Sequence, residues 1–110
     1  MIEVGEYVRN REGKIDKVKN PDYYMTEYIE CEKLLISRAS IVKHSKNIID
    51  LLEVGDIVRT YDVLNYDVLY IWSEEMLKAL KEDVENGIGI EAILTREQFA
   101  QAEYKIEEDK

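Results

Sequence analysis

Polar and apolar residues alternate with a period of two in Lys14-Ile15-Asp16-Lys17-Val18 and again in Tyr28-Ile29-Glu30-Cys31-Glu32, the pattern of strands with one buried face. Val4 to Arg9 reads as a strand before the first of these, and the turn residues Asn10-Arg11-Glu12-Gly13 complete a hairpin. Asn20-Pro21-Asp22 breaks the pattern. Tyr23 to Ser37 resumes it as one long or two short strands, and a further strand is expected around Ser40 to Lys43. Ile48, Ile49 and Leu52 share one helical face behind Ser45, so a short helix or helical turn capped by Ser45 is expected over 45–52. Strands follow at Asp56 to Tyr61 and Tyr66 to Trp72, around a turn near Asp62 to Asn65. The period then lengthens. Met76, Leu77, Leu80 and Val84 form one stripe, with Glu75, Lys78, Lys81, Glu82 and Glu85 opposite, which predicts an amphipathic helix over 74–85 ended by Asn86-Gly87. Ile88 to Leu94 returns to strand. Thr95-Arg96-Glu97-Gln98 has capping-box spacing and opens a helical turn expected to carry Phe99 into the core, before a last short strand at Tyr104-Lys105-Ile106.

One segment occurs twice. Ile2-Glu3-Val4-Gly5-Glu6-Tyr7-Val8-Arg9 returns as Leu52-Glu53-Val54-Gly55-Asp56-Ile57-Val58-Arg59, with Glu, Val, Gly, Val and Arg retained and a Glu/Asp exchange. In both copies a glycine precedes an acid and a β-type run, which is how a chain turns sharply into a strand. The expected fold is α+β and β-rich: a bent antiparallel sheet or SH3-like small barrel with one or two short helices. At 110 residues the chain fits a single domain, so a duplicated unit at 2–9 and 52–59 would share one core.

Composition narrows the function classes. With 45% hydrophobic and 35% charged residues, five glycines and one proline, the chain has the make-up of a globular protein rather than a disordered one. No uncharged run approaches the roughly 18 residues of a membrane span, and Met1-Ile2-Glu3-Val4 lacks the basic start of a secretory signal. A cytoplasmic location is expected. Cys31 is the only cysteine, so it forms no intramolecular disulfide and reads as a small hydrophobe. The net charge is −9, unevenly spread: residues 1–55 carry nine Lys/Arg against ten Asp/Glu, and residues 56–110 carry six against fourteen. Such a surface repels nucleic-acid phosphates and attracts basic partners, including the cationic channels in which other proteins hold nucleic acid.

Chemistry-bearing patterns are sparse. His44 adjoins Ser45, but adjacency provides neither the reach nor the orienting third group that a nucleophile needs. One histidine and one cysteine make no zinc set without several carboxylates, and no phosphate loop or dinucleotide fingerprint occurs. The expectation is a non-enzymatic protein without cofactor, metal or catalytic residues. The densest acidic set is Glu74, Glu75, Glu82, Asp83 and Glu85, joined by Glu107, Glu108 and Asp109. Spaced along a rigid face, such carboxylates imitate a nucleic-acid backbone; otherwise they are a solvated helix face. Tyr23 and Tyr24, beside the proline turn among eight tyrosines, are the second candidate for partner binding, against a plain reading as half-buried sheet.

The stretch from Val42 to Val58, with its Lys43-His44-Ser45-Lys46-Asn47-Ile48-Ile49-Asp50-Leu51 core and Val54-Gly55-Asp56-Ile57-Val58 end, resembles a segment of short phage and prophage proteins of Gram-positive bacteria. Ile93-Leu94-Thr95-Arg96-Glu97-Gln98-Phe99 is similar to an Ile-x-Thr-Lys-Glu-Gln-Phe ending in the same group. Members follow the Gly-Asp-x-Val strand with an Asn-Gly hairpin, where this chain has Arg59-Thr60-Tyr61-Asp62. The group has no agreed activity, so the resemblance implies a mobile-element origin. Origin and charge together lead to the expectation of an inhibitor of a host defence nuclease or another nucleic-acid-handling complex. In its sharpest form this is an anti-CRISPR protein that enters the basic nucleic-acid channel of a host or CRISPR-associated protein. The rival is a structural or accessory phage protein built on a small self-associating β-barrel.

Overall fold

A computed structural model describes residues 1–106. Eight strands and two helices alternate along the chain: β1 Tyr7–Asn10, β2 Ile15–Asn20, β3 Tyr28–Cys31, β4 Leu35–Ser37, β5 Ile41–Ser45, β6 Ile57–Tyr61, β7 Tyr66–Tyr70, α1 Glu74–Glu85, β8 Gly89–Leu94 and α2 Arg96–Ala102. They form two open antiparallel sheets, one ordered β4-β3-β2-β1-β5 and the other β7-β6-β8. The α+β, β-rich class holds, and neither sheet closes into a barrel.

The sequence repeat is a structural repeat. Each copy leads into the strand at the centre of a three-strand unit, β2-β1-β5 or β7-β6-β8, flanked by the next strand in the chain and by a later one. In each, the glycine has positive φ, +89° at Gly5 and +102° at Gly55, a conformation that disfavours any side chain. The glycine amide donates across to the neighbouring strand, Gly5 to the Val18 carbonyl at 3.0 Å and Gly55 to that of Ile71 at 2.6 Å. Three residues before each acid an amide donates to it: Glu3 to Glu6 at 2.6 Å and Glu53 to Asp56 at 2.7 Å. The valine after it is fully buried in both copies. Even the register shift recurs, between Arg9 and Asn10 against β5 and between Arg59 and Thr60 against β8.

The two units differ in what covers them. Val8, Val18, Ile29, Cys31 and Ile36 form one buried cluster in the larger sheet. Leu52, Val58, Ile71, Leu77 and Leu80 form a second, where α1 lies on the three-stranded sheet. Partly buried residues extend both, Ile2 and Ile41 on the first cluster and Ile49, Val54, Leu69, Val84, Ile90 and Ile93 on the second. Between them run polar contacts from Arg9 to Asp56 and from Thr95 to Gly13. With a radius of gyration of 15.8 Å and extents of 50 × 45 × 23 Å, the chain is more spread than the roughly 13 Å expected for one compact core of this length.

Several local expectations hold, among them the β1–β2 hairpin and α1, which Ser73 caps by accepting from the Met76 amide at 3.1 Å. Others are corrected. Ser45 caps no helix: it ends β5, accepts from the Asn47 amide at 3.1 Å and donates to Asp50 at 2.7 Å, and only a 3₁₀ turn, Ile48–Leu51, follows. The capping box at Thr95 forms as expected, but Phe99 is 47% exposed, and the fully buried member of that segment is Thr95. Tyr104 and Ile106 join no strand and are exposed. No helix among the described residues is long and apolar enough to cross a membrane.

Candidate functional site

Arg9 is the most heavily engaged side chain. Only 1% exposed, it donates to both Asp56 carboxylate oxygens at 2.5 and 3.0 Å, to the Leu51 carbonyl at 2.9 Å and to Glu97 at 2.7 Å. Its repeat partner Arg59 is exposed, with Glu91 3.8 Å away. Around Arg9 the chain of charge continues: Arg96 meets Glu53 at 2.8 Å and Glu97 at 2.7 Å, and Lys43 meets Glu53 at 3.5 Å. Burial pulls the Arg9 guanidinium down, and the hydrogen bonds it donates to Asp56 and Glu97 override this, so Arg9 stays charged. Burial likewise pushes Glu97 up, while Arg9 and Arg96 together hold it below the ordinary carboxylate value. Every acid here is matched by a cation, and the network clamps β1 to the residues leading into β6 and to α2.

His44 and Ser45 occupy successive positions on β5 and face apart. His44 Nδ1 lies 2.8 Å from Glu6, while Ser45 binds Asp50. The hydrogen bond to His44 is the main reason Glu6 sits below its ordinary value. Burial pushes the Cys31 thiol up to about 11, which leaves it protonated and unreactive. No group of three metal-ligating side chains assembles among the described residues. The grooves beside α1 mix lysine and carboxylate, as at Lys43, Glu53, Glu74 and Lys81.

Because Glu6 and Glu97 are depressed in the folded state, their contribution is complete above the ordinary carboxylate pKa of 4.5 and is lost as pH falls below it. Urea midpoints measured from pH 7 down to pH 3 should fall on the acid side. A Glu6→Gln, Glu97→Gln double variant should fall less steeply; an identical acid limb would assign the loss to other carboxylates.

The sequence-chosen binding residues are separated by the fold. Tyr23 and Tyr24 sit in a 3₁₀ turn before β3, rings 4.6 Å apart, with Tyr24 82% exposed. They lie in that turn rather than in a strand, Tyr23 half-buried and Tyr24 exposed, just before β3 of the larger sheet. Glu74, Glu75, Glu82, Asp83 and Glu85 are all exposed on α1, over the other sheet. Glu107, Glu108 and Asp109 lie outside the described residues.

A further surface escaped sequence reasoning. On the face of the three-stranded sheet away from α1, Tyr61, Tyr66, Val68 and Tyr70 are exposed, with Arg59 at the centre. Tyr61 and Tyr66 are cross-strand partners, ring centroids 6.2 Å apart, and the Tyr61 ring lies over Gly89, whose missing side chain makes the space. The signal was the alternation Tyr66-Asp67-Val68-Leu69-Tyr70, which puts both tyrosines on one face with Val68 between them.

Comparison of the chain with protein-family models, with curated proteins and with solved structures finds no match.

Proposed function

We propose that this chain is a non-enzymatic binding protein that offers the acidic surface of α1 to a basic partner. The observation that carries the reading is how charge is distributed between buried and free positions. From residue 62 to residue 91 there are eight carboxylates against Lys78 and Lys81, and all eight carboxylates are exposed. Only Glu91 among them takes part in an ion pair within the described residues. The acids elsewhere divide: Glu6, Asp16 and Asp56 are buried and hydrogen-bonded, Glu53 and Glu97 face arginines, and Asp22, Glu27, Glu32 and Glu103 are exposed but spread over separate elements. Outnumbering the two lysines four to one, the carboxylates make a net negative field that speeds encounter with cationic surfaces.

The finer form of the proposal is inhibition of a host defence nuclease or related nucleic-acid-handling complex, of anti-CRISPR type. α1 would occupy a basic channel in place of nucleic acid. Its rigidity supports this, since a capped helix over a packed sheet holds carboxylates at fixed spacing. The test is capture of guide-free CRISPR effectors by tagged protein at low and high salt. Glu74→Gln, Glu75→Gln, Glu82→Gln and Asp83→Asn combined should weaken a genuine complex roughly ten- to a hundredfold and flatten its salt dependence. Unchanged affinity in that variant would remove the acidic helix from the interface.

A second reading, a structural or accessory phage protein, draws on the tyrosine-rich sheet face opposite α1. An assembly role should survive neutralisation of α1, which occupancy of a basic channel should not.

A further inference from the structure

We propose that β7 is the joint of a two-fold dimer, in which a second copy of this chain pairs with it antiparallel about Val68. Among the described strands four lie at sheet edges: β4, β5, β7 and β8. Proteins protect such edges with short length, lysine, proline, inward charge or bulges, because an open ladder recruits other strands. β4 has only three residues, and β5 and β8 each shift register against their neighbours β1 and β6. β7 has five residues, contains no lysine, arginine or proline, and carries one charge, Asp67, opposite Thr60. Of the three longer edges it alone keeps an unbroken register, from Tyr61↔Tyr66 to Ile57↔Tyr70. Its outer edge is a regular ladder without a partner among the described residues.

The occupant is read from the strand's own symmetry. In Tyr66-Asp67-Val68-Leu69-Tyr70, antiparallel pairing about Val68 puts Tyr66 of one copy opposite Tyr70 of the other and Val68 opposite Val68. Asp67 meets Leu69, so no like charges face each other, although each chain carries −9. The same register extended outward brings Leu64 to Trp72. The three outward residues of the strand are exposed, Tyr66 at 70%, Val68 at 66% and Tyr70 at 56%, and Leu64 and Trp72 on either side of it are exposed as well. In an isologous contact residue i of one copy meets j of the other and j meets i, and the Tyr66-Val68-Tyr70 centre satisfies this with like aromatic and aliphatic pairs. The joined sheet would run β8-β6-β7-β7-β6-β8, an ordinary size. One strand pair with its side-chain row falls at the small end of specific interfaces, below about 1,200 Å² in total, so a micromolar dimer is expected.

This goes beyond the binding proposed for α1, and the two respond to salt in opposite senses. Two acidic chains repel, so screening should strengthen the dimer, whereas it weakens binding of a basic partner. Sedimentation across a concentration series should show a monomer–dimer equilibrium that shifts toward dimer between about 0.1 M and about 1 M salt. Val68→Lys places two ammonium groups at the two-fold centre and should leave a folded monomer, checked by circular dichroism. Val68→Cys should cross-link to itself under oxidation while Glu91→Cys, on the far edge, should not. Monomer at every concentration and both salts, or a dimer indifferent to Val68→Lys, would overturn the proposal. The α1-neutralised variant should still dimerise, and Val68→Lys should still bind any partner of α1, so either idea can fail without the other.

Discussion

Arg9→Met is expected to lower the unfolding free energy by about 3–5 kcal/mol, while Arg59→Met at the matching position of the repeat should change it by no more than about 0.5 kcal/mol. Removing the guanidinium leaves Asp56, which is fully buried, with its negative charge opposed only by the Glu53 and Arg96 amides. It also strips Glu97 of one of its two 2.7 Å contacts and takes the guanidinium donor from the Leu51 carbonyl. Isolated charges in such a setting are costly because protein dipoles replace only part of the lost hydration. The loss is large against a typical total of about 5–15 kcal/mol, and greater still for a chain whose apolar clusters are small. Urea unfolding of both variants provides the comparison. Equal losses at the two positions would mean that Arg9 is no clamp. Arg9→Met combined with Asp56→Leu should recover part of the loss, since an apolar pair leaves no orphaned charge there.

Gly13→Ala should cost about 2–5 kcal/mol, from a left-handed backbone that a side chain strains by about 1–2 kcal/mol and from overpacking worth about 1–3 kcal/mol. Gly13 sits in the β1–β2 turn at φ +80°. A methyl group there would strike the Thr95 hydroxyl and come within 2.8 Å of Glu97 Cβ. Thr95 is fully buried, caps α2 and donates to the Gly13 carbonyl at 2.8 Å. The substitution therefore pries α2 from the first hairpin and carries Glu97 away from Arg9. Gly5→Ala makes the control, because φ there is +89° and nothing lies within 4 Å of the added carbon. It should cost the backbone strain alone. If the two variants have the same urea midpoint, the contact between α2 and the hairpin adds nothing to stability.

Most of the candidate site was readable only in pieces. The five α1 carboxylates were legible, because helical period and capping fix both the element and its solvent face, and the structure leaves all five exposed. The tyrosine row was visible as alternation in 66–70, but alternation names two faces without saying which one a helix will cover. Choosing Tyr23 and Tyr24 followed local crowding of aromatics. The fold places them in a turn on the other sheet, where they share no surface with α1.

Local rules sufficed for the repeat, the hairpins, α1 and the capping box at Thr95, since each depends on residues within a few positions of one another: a glycine before an acid, a serine or threonine before a helix, a stripe at helical spacing. Phe99 shows where such rules stop. Its apolar character argues for the interior, yet α2 is docked by Thr95 and Glu97, and Phe99 is left facing outward. The separate roles of Arg9 and Arg59 lie further still from local pattern. Their sequence contexts are nearly identical, and Arg9 became the clamp because residues 42 to 88 positions away, Leu51, Asp56 and Glu97, converge on it. Long-range convergence of that kind follows from how the two sheets are laid beside each other, and spacing along a chain carries no record of it.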